Sequence, residues 1–298
     1  MGNYRKEKFF NIILTIADYF KNDENYNIYL SNDYKTIFPD KIFPKNVTVS
    51  PFNKIKSKAD FVFSVGGDGT ILSTVKNLKG LAIPVLGIHI GNLGFLAQCT
   101  EKSLNDALRN IKLGKYNIEK RIMLSLNIDN GQKYYALNDV VVDHGNSGRV
   151  LKSNVYIKND KKNNFLHLND FESDGIIIST PTGSTGYSLS SGGPIIHPDL
   201  DVLNLTPISS HSLSARPIVF SSVISFKIQF SDKFIDAAIT IDGQKRIHLS
   251  KENTVYIEKA NCFAHLISFP SSNYISTLKN KLGWSGKFSN LDQKISKK

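Results

Sequence analysis

Residues 61–74 read FVFSVGGDGTILST, and this stretch decides the fold. Residues 61–65 form a run of apolar and small side chains suited to a buried strand, and residues 70–78 follow with the apolar period of a helix. Gly66, Gly67, Asp68, Gly69 and Thr70 join the two. A strand that ends in glycines at a helix start brings bare backbone N–H groups to the positive end of the helix dipole, where a phosphate fits without a basic side chain. Asp68 is the odd member, because a carboxylate repels phosphate. It makes sense against a hydroxyl whose proton it accepts or against a bound divalent cation, and both roles belong to phosphoryl transfer. Taken alone, the pentapeptide reads equally as a tight turn in which Asp68 caps the helix. It is neither a P-loop, which needs Gly-Lys-Ser/Thr, nor a G-x-G-x-x-G fingerprint.

The alternation of strand and helix continues on both sides. A helix is expected over residues 5–21, with Phe9, Ile12, Ile13, Ile16, Ala17 and Phe20 on one face, and a strand over 27–30. A strand over 82–88 leads into HIGNLGFLAQ, where His89 is placed to line a pocket, and then into a helix over 103–111. Such alternation implies βαβ units and a mostly parallel sheet. After residue 116 the pattern changes to short strand-like runs: MLSLNI, YALNDVVVDH, NVYIK, FLHL, GIIIST, VISFKIQF, AAITIDGQ, RIHL, TVYIE and FAHLISF. Ile224, Phe226, Ile228 and Phe230 alternate with polar residues at period two, as a half-buried strand requires. This region reads as an all-β domain of two sheets or a flattened barrel, and the chain from residue 274 turns helical again.

A second informative stretch, residues 173–194, reads SDGIIISTPTGSTGYSLSSGGP. An apolar strand empties into a dense row of hydroxyls, Thr180 to Tyr187, which reads as a set of donors presented to a polar ligand. Asn138 and Asp139 sit inside an apolar run and need partners or a ligand. Arg216, in HSLSARP, is a cation for a phosphate or an acid, and Asp242-Gly243-Gln244 reads alone as a hairpin turn.

The bulk numbers set bounds. A chain of 298 residues suits two domains of ordinary size, and 41% hydrophobic with 21% charged residues is normal for a soluble globular protein. Two cysteines make no disulfide framework and fit a reducing compartment. FFNIILTIA near the start is interrupted by Asn11 and closed by Asp18 with no cleavage site, so it reads as an amphipathic helix and not a signal peptide. With no run approaching the roughly 18 apolar residues of a membrane span, a cytoplasmic protein with no membrane partner is expected. The net charge of +11 is spread along the chain without a reading element, so no nucleic-acid partner is expected, although the field favours phosphorylated ligands. The histidines and cysteines form no metal-ligand pattern.

Together these pieces resemble one family, the ATP-dependent NAD kinases. The matching stretches are GGDGT at 66–70, GIHIGNLGFLA at 87–97, LND at 137–139, SDGIIISTPTGSTGYSLSSGGPI at 173–195, HSLSARPIV at 211–219, DGQ at 242–244 and KLGW at 281–284. The resemblance implies an α/β plus all-β fold. A Rossmann-like N-terminal domain with a parallel sheet would span residues 1–115, completed by 275–298, and a C-terminal β-sandwich domain would span 116–274. It implies transfer of the γ-phosphate of ATP to the 2′-hydroxyl of the adenosine ribose of NAD, with Mg²⁺ or another divalent cation. On these positions Asp68 would be the general base, and Gly66, Gly67, Gly69 and Thr70 would approach the phosphates. Phe95 would line the adenine side, and Asn138 and Asp139 would hold ribose hydroxyls and adenine. Asp174 would face the nicotinamide end, Thr185, Gly186 and Tyr187 would contact NAD, and Arg216, Asp242 and Gln244 would be further contacts. Members are commonly homodimers or homotetramers.

Three departures stand out. The family usually has Asn-Glu where this chain has Asn138-Asp139, and the shorter carboxylate reaches less far. Its STAY is STGY here, which removes a methyl at Gly186. It usually opens with an apolar strand, whereas this sequence reads Met1-Gly2-Asn3, so apolar surface beside that strand's place is expected to be bared. Two rival readings remain at this stage: a lipid kinase, which the hydroxyl row of 180–187 argues against, and a non-catalytic dinucleotide sensor, which the retained Asp68 argues against.

Overall fold

In the computed structural model, which describes residues 1–2, 7–31, 43–91, 94–159, 164–231, 236–270 and 272–283, helix and strand alternate through the first part of the chain. The order is α1 (Glu7–Tyr19), β1 (Ile28–Ser31), β2 (Val47–Ser50), the single turn α2 (Phe52–Ile55), β3 (Val62–Gly66), α3 (Asp68–Leu78), β4 (Val85–His89), β5 (Cys99–Thr100) and α4 (Leu104–Lys112). The whole apolar face read for α1 is buried, Phe9 and Ile12 almost completely, and it packs with Val65, Leu86, Ile88 and Leu108. β3 and β4 pair in parallel from Val62 against Val85 to Gly66 against His89. β4 is buried at all five positions, as a parallel strand covered on both faces must be. It begins at Val85 and not at residue 82 because Pro84 has no N–H to donate to a ladder.

The rest of the chain is β6 (Asn117–Ile128), β7 (Tyr134–Ala136), β8 (Asp139–Asp143), β9 (Leu151–Asn159), β10 (Leu166–Ser173), β11 (Gly175–Ser179), α5 (Tyr187–Ser190), β12 (Val202–Ile208), β13 (Ile218–Ser221), β14 (Ile224–Phe230), β15 (Ala237–Ile241), β16 (Lys245–Leu249), β17 (Val255–Ser268) and α6 (Tyr274–Leu282). Six strands make one antiparallel sheet in the order β13-β12-β11-β8-β15-β16. A second sheet faces it, and the space between is filled by Leu126, Val155, Phe226 and Ile257 from one side and Val142, Ile178, Leu205 and Ile239 from the other. The two-sheet reading therefore holds.

Several local expectations are corrected. The run YALNDVVVDH is not one strand: β7 ends at Ala136 in one sheet, β8 starts at Asp139 in the other, and Leu137 and Asn138 make the crossing. TVYIE and FAHLISF are a single strand, β17, whose ladder to β6 shifts register between Lys259 and Phe263, so the polar residues there mark a bulge and not a turn. β12 escapes the period-two pattern because its third residue is a buried polar one, Asn204, whose Nδ2 donates to Ser188 Oγ at 2.9 Å and Thr206 Oγ1 at 2.8 Å. The two halves of the chain also share a sheet. β17 pairs with β14 and β6 and, at Leu266 against Val85, runs parallel to β4, making a nine-stranded mixed sheet.

The outer edge of β3 is met by the start of the chain. Val65 N donates to Met1 O at 3.0 Å, the Met1 amino group donates to Phe63 O at 3.2 Å, and Gly2 bridges Val65 in parallel. Next to this contact lies a cavity of about 350 Å³, lined by Met1, Ile16, Ile28, Leu30, Phe61 and Phe63 among others, and Ile16 and Leu30 there are buried and not bared. β1 and β2 form a separate parallel pair. At the other end, Asn273 caps α6 by accepting from Ile275 N and Ser276 N, and Tyr274 reaches the loop at Ile196 and His197. Trp284 lies outside the described residues.

Phe226 is fully buried between the sheets and meets Phe220 of β13 edge-on at 5.4 Å. Phe226→Ala is expected to cost about 3–5 kcal/mol, and Phe226→Leu on the order of 1 kcal/mol, in urea unfolding at unchanged m-value.

Candidate active site

The Gly-rich turn does not cap its helix with the aspartate. Gly67 is the extended N-cap of α3, and no described side chain caps that helix. The half-buried Asp68 carboxylate turns instead to the loop over residues 94–97, where Oδ2 accepts from Phe95 N at 2.7 Å and Oδ1 from Leu96 N at 3.2 Å. Gly94 allows that approach, because a Cβ there would lie 1.9 Å from Asp68 Oδ1. The glycines of the turn divide their work. Gly66 is a packing glycine, since a Cβ would fall 2.2 Å from Thr70 Oγ1, so Thr70 faces back onto Gly66. Gly69 faces open space, and a Cβ on Gly67 would meet only the ring of His89, at 3.8 Å. Room for a phosphate at the start of α3 therefore lies at Gly67 and Gly69, where the first N–H groups of a helix have no partner in their own turn. Asn92 and Leu93 lie outside the described residues.

Across from this turn stands the crossing at residues 137–139. Leu137 packs with Ile71 and Leu72 of α3 and with Leu96, so the two walls share a floor. The crossing is held by Asp242. Its Oδ2 accepts from Leu137 N at 2.9 Å, and its Oδ1 from Asn138 N at 2.8 Å and Asp139 N at 3.2 Å. Asp242 and Gly243 both take positive φ, 49° and 64°, the geometry that Asp-Gly hairpin turns favour. The hairpin reading of this turn is thus realised, and its aspartate holds the crossing in place.

Asn138 Oδ1 is buried with no hydrogen-bond partner among the described residues, which leaves an acceptor to be met by a ligand. Asp139 is 5% exposed. Burial, and secondarily the Asp242 carboxylate, push its carboxyl up to about 7. Burial pushes Asp242 up too, while the three backbone N–H groups and the charge of Lys76 oppose the rise. N–H donors favour the ionised form, so a proton shared by this pair belongs on Asp139.

The hydroxyl row behaves differently from the expectation. Thr180, Ser184 and Ser188 are completely buried and bonded inside the protein. Thr180 Oγ1 donates to Leu137 O at 2.6 Å, Ser184 Oγ to Pro181 O at 2.7 Å, and Ser188 Oγ pairs with Thr206 Oγ1 at 3.0 Å. Ser and Thr hydroxyls satisfy nearby carbonyls readily, and here they brace the loop. Thr185 Oγ1 also bonds locally, to Thr182 O at 3.3 Å. What the loop presents to the site is its backbone. Gly183 abuts the crossing so closely that a Cβ would lie 2.0 Å from Asn138 O. A Cβ on Gly186 would lie 3.5 Å from Asn138 Nδ2 and 3.7 Å from Asp139 Oδ2. Tyr187 is half exposed beside it.

The structure thus gathers Asp68, Gly67, Gly69, Phe95, Asn138, Asp139, Gly186, Asp242 and Gln244. Gln244 Nε2 donates to Gly69 O at 2.7 Å, and Lys76 Nζ donates to Gln244 Oε1 at 2.9 Å. Two predicted contacts stand apart. Asp174 lies at the opposite end of β11 from Ser179, which pairs with Asp139, so it is roughly 15 Å along the sheet from that carboxyl. Arg216 is exposed and turns its guanidinium onto the carbonyls of Leu213 and Ala215 in its own loop. Lys76 went unnoticed in the sequence, since nothing local couples it to a turn 168 residues away. Among the described residues no group of three or more His, Cys, Asp or Glu is placed to hold a metal ion, and no helix is long and apolar enough to cross a membrane.

Comparison with known proteins points the same way. The ATP-NAD kinase N-terminal domain matches residues 10–116 and the ATP-NAD kinase C-terminal domain matches residues 137–269. An NAD kinase of Clostridium botulinum (strain Kyoto / Type A2) is 40% identical over 235 residues, covering 78% of this chain and 81% of the relative. An NAD kinase of Caldanaerobacter subterraneus subsp. tengcongensis is 37% identical over 234 residues, with 77% and 81% covered. Among solved structures, yeast NADH kinase complexed with NADH aligns with a TM-score of 0.85 at 22% identity, over 97% of this chain and 88% of that one. An NAD kinase from Archaeoglobus fulgidus in complex with ATP aligns at 0.66 and 22% identity, over 86% and 98%. At that identity the structural matches speak for the fold.

The raised Asp139 carboxyl has a consequence for stability. A carboxyl that holds its proton up to about pH 7 when folded, against 3.8 as the ordinary value, favours the folded state most at low pH. That contribution is lost as pH rises from about 4 through about 7 and amounts to on the order of 4 kcal/mol. Urea unfolding of the wild type from pH 5 to pH 9 is expected to show the loss, and Asp139→Asn to flatten it.

Proposed function

We propose that this chain, which belongs to the ATP-NAD kinase family, is an NAD kinase that moves the γ-phosphate of ATP onto the 2′-hydroxyl of the adenosine ribose of NAD to give NADP. The observation that carries the reading is one arrangement. The Asp68 carboxylate stands at the open start of α3, across from Asn138, whose amide oxygen has no partner among the described residues, and the buried Asp139.

In this reading the adenosine ribose lies between the walls. Asn138 and Asp139 bind ribose hydroxyls and adenine, and Phe95 borders the adenine. Asp68 accepts the 2′-hydroxyl proton, the 2′-oxygen bonds to the γ-phosphorus, and the bond to the bridging oxygen of ADP breaks. The N–H groups of Phe95 and Leu96 aim the Asp68 carboxylate, and its remaining lone pairs are left for the substrate hydroxyl. Phosphoryl transfer of this kind depends on placement and charge neutralisation. Backbone N–H groups at Gly67 and Gly69 supply part of the neutralisation. With one carboxylate at the turn and no protein cage among the described residues, the donor set fits Mg²⁺ or a similar cation that arrives on the ATP phosphates, and such an ion would neutralise the transferring group beside Asp68. Thr185, Gly186 and Tyr187 border the dinucleotide, and Asp174 serves its nicotinamide end.

The chain is also read as a cytoplasmic homodimer or homotetramer. The exposed apolar side chains of Leu213, Ile218 and Val219 along and before edge strand β13 support association through that side.

Asp68→Asn is expected to lower kcat by about 10³-fold while NAD binds within about twofold of wild type by calorimetry. NADP would be read with an NADP-specific dehydrogenase. Near-normal turnover in this variant would remove Asp68 from the role of base.

A further inference from the structure

Two walls from distant parts of the chain must keep a fixed separation if Asp68 is to meet a ribose held by Asn138 and Asp139. Both walls are fastened to the same three-residue turn. One side of it, Asp242, binds all three backbone N–H groups of the crossing at residues 137–139. The other side, Gln244, donates to the carbonyl of Gly69 in the first turn of α3, one residue from Asp68. Lys76, two turns further along the same helix, donates to the Gln244 carbonyl oxygen and so fixes which way the amide faces. The turn itself is stiff, since Asp242 and Gly243 both occupy left-handed backbone and Gln244 N closes it on Ile241 O at 2.9 Å.

We propose that Gln244 is a positioning residue for phosphoryl transfer, and that residues 242–244 are a clasp setting the distance between the Asp68 base and the ribose-binding pair Asn138–Asp139. The residue is exposed, so its bonds add little to stability. They add geometry at a place where about 1 Å of misplacement costs as much as 100-fold in rate. Lys76 acts through Gln244, and Asp242 anchors the other end. Neither is assigned contact with the reacting atoms. The activity readout rests on the NAD kinase reading given above, while the clasp rests on hydrogen bonds alone.

The test uses Gln244→Ala, Gln244→Glu, Lys76→Ala and the Gln244→Ala/Lys76→Ala double variant of the full chain. Gln244→Glu keeps the acceptor for Lys76 but has no N–H for Gly69 O, so it separates the two bonds. Both Gln244 variants are expected to lower kcat about tenfold or more with KM for NAD within about twofold and thermal midpoints within about 2 °C of wild type. The double variant should lie within about twofold of Gln244→Ala, because orienting Gln244 is the role given to Lys76 and only its charge near Asp242 then remains to differ. In the free protein, amide hydrogen exchange over residues 66–71 should be several-fold faster in Gln244→Ala. Wild-type kcat in Gln244→Glu would overturn the proposal. So would a rise in KM alone, which would make Gln244 a ligand contact, or a kcat loss that follows the thermal midpoint, which would make it merely structural. If the wild type forms no NADP, the activity reading fails, and the exchange measurement still decides the clasp: unchanged protection at 66–71 would refute it.

Discussion

One buried carboxylate collecting three backbone N–H groups is the constraint on which the rest of this site depends. Asp242 is 7% exposed, and taking an ion that far out of water is costly unless its lone pairs are met. The N–H groups of Leu137, Asn138 and Asp139 meet them, at the point where the chain leaves one sheet and enters the other. A crossing between sheets has no ladder of its own, so its backbone donors need a partner from elsewhere. The partner chosen is an acid, and its charge then falls on the neighbour whose burial already favours the protonated form. Fold and electrostatics are set by the same bonds.

The glycines around the cleft follow from how closely its walls approach. Gly183 lets the loop after β11 rest on the carbonyl of Asn138, and Gly94 lets the 94–97 loop close on Asp68. Gly69, by contrast, leaves space that no described residue fills. The close contacts make a rigid frame, and the open position leaves room for the phosphate that the proposed function places at the start of α3. A reaction whose transition state needs little covalent help from the protein is suited to such a frame, because its rate turns on alignment and on where partial charges point. The Asp68 carboxylate is oriented by two N–H groups from a loop that also carries Phe95, so under the proposed function the aim of the base and the wall beside the nucleotide would be coupled.

Much of this was legible in the sequence, and the exceptions have physical causes. The parallel half was plain because β3, α3 and β4 each keep the period of their own element. The apolar face of α1 was read residue for residue for the same reason. The strands β12 and β17 were hidden or split, since a buried Asn204 and a bulge near Lys259 break the alternation that a reader follows. The Gly-rich turn could be read as an anion site or as a capped turn, but not for what Asp68 binds, because its partners lie 27 and 28 residues away on a loop with no period. The hydroxyl row from Thr180 onward was misjudged for the opposite reason. Short hydroxyls look like an offer to a ligand, yet their nearest acceptors are neighbouring carbonyls, and burial makes them use those. The link from Gln244 to Gly69 spans 175 residues and has no local trace at all.

A crystal structure of the protein with NAD and a non-hydrolysable ATP analogue tests the central claim most directly. The account predicts the 2′-oxygen of the adenosine ribose about 3 Å from an Asp68 carboxylate oxygen, with Asn138 and Asp139 on the same nucleoside and the γ-phosphate in line beyond it. A ribose bound elsewhere, or one that turns another hydroxyl toward Asp68, would contradict it.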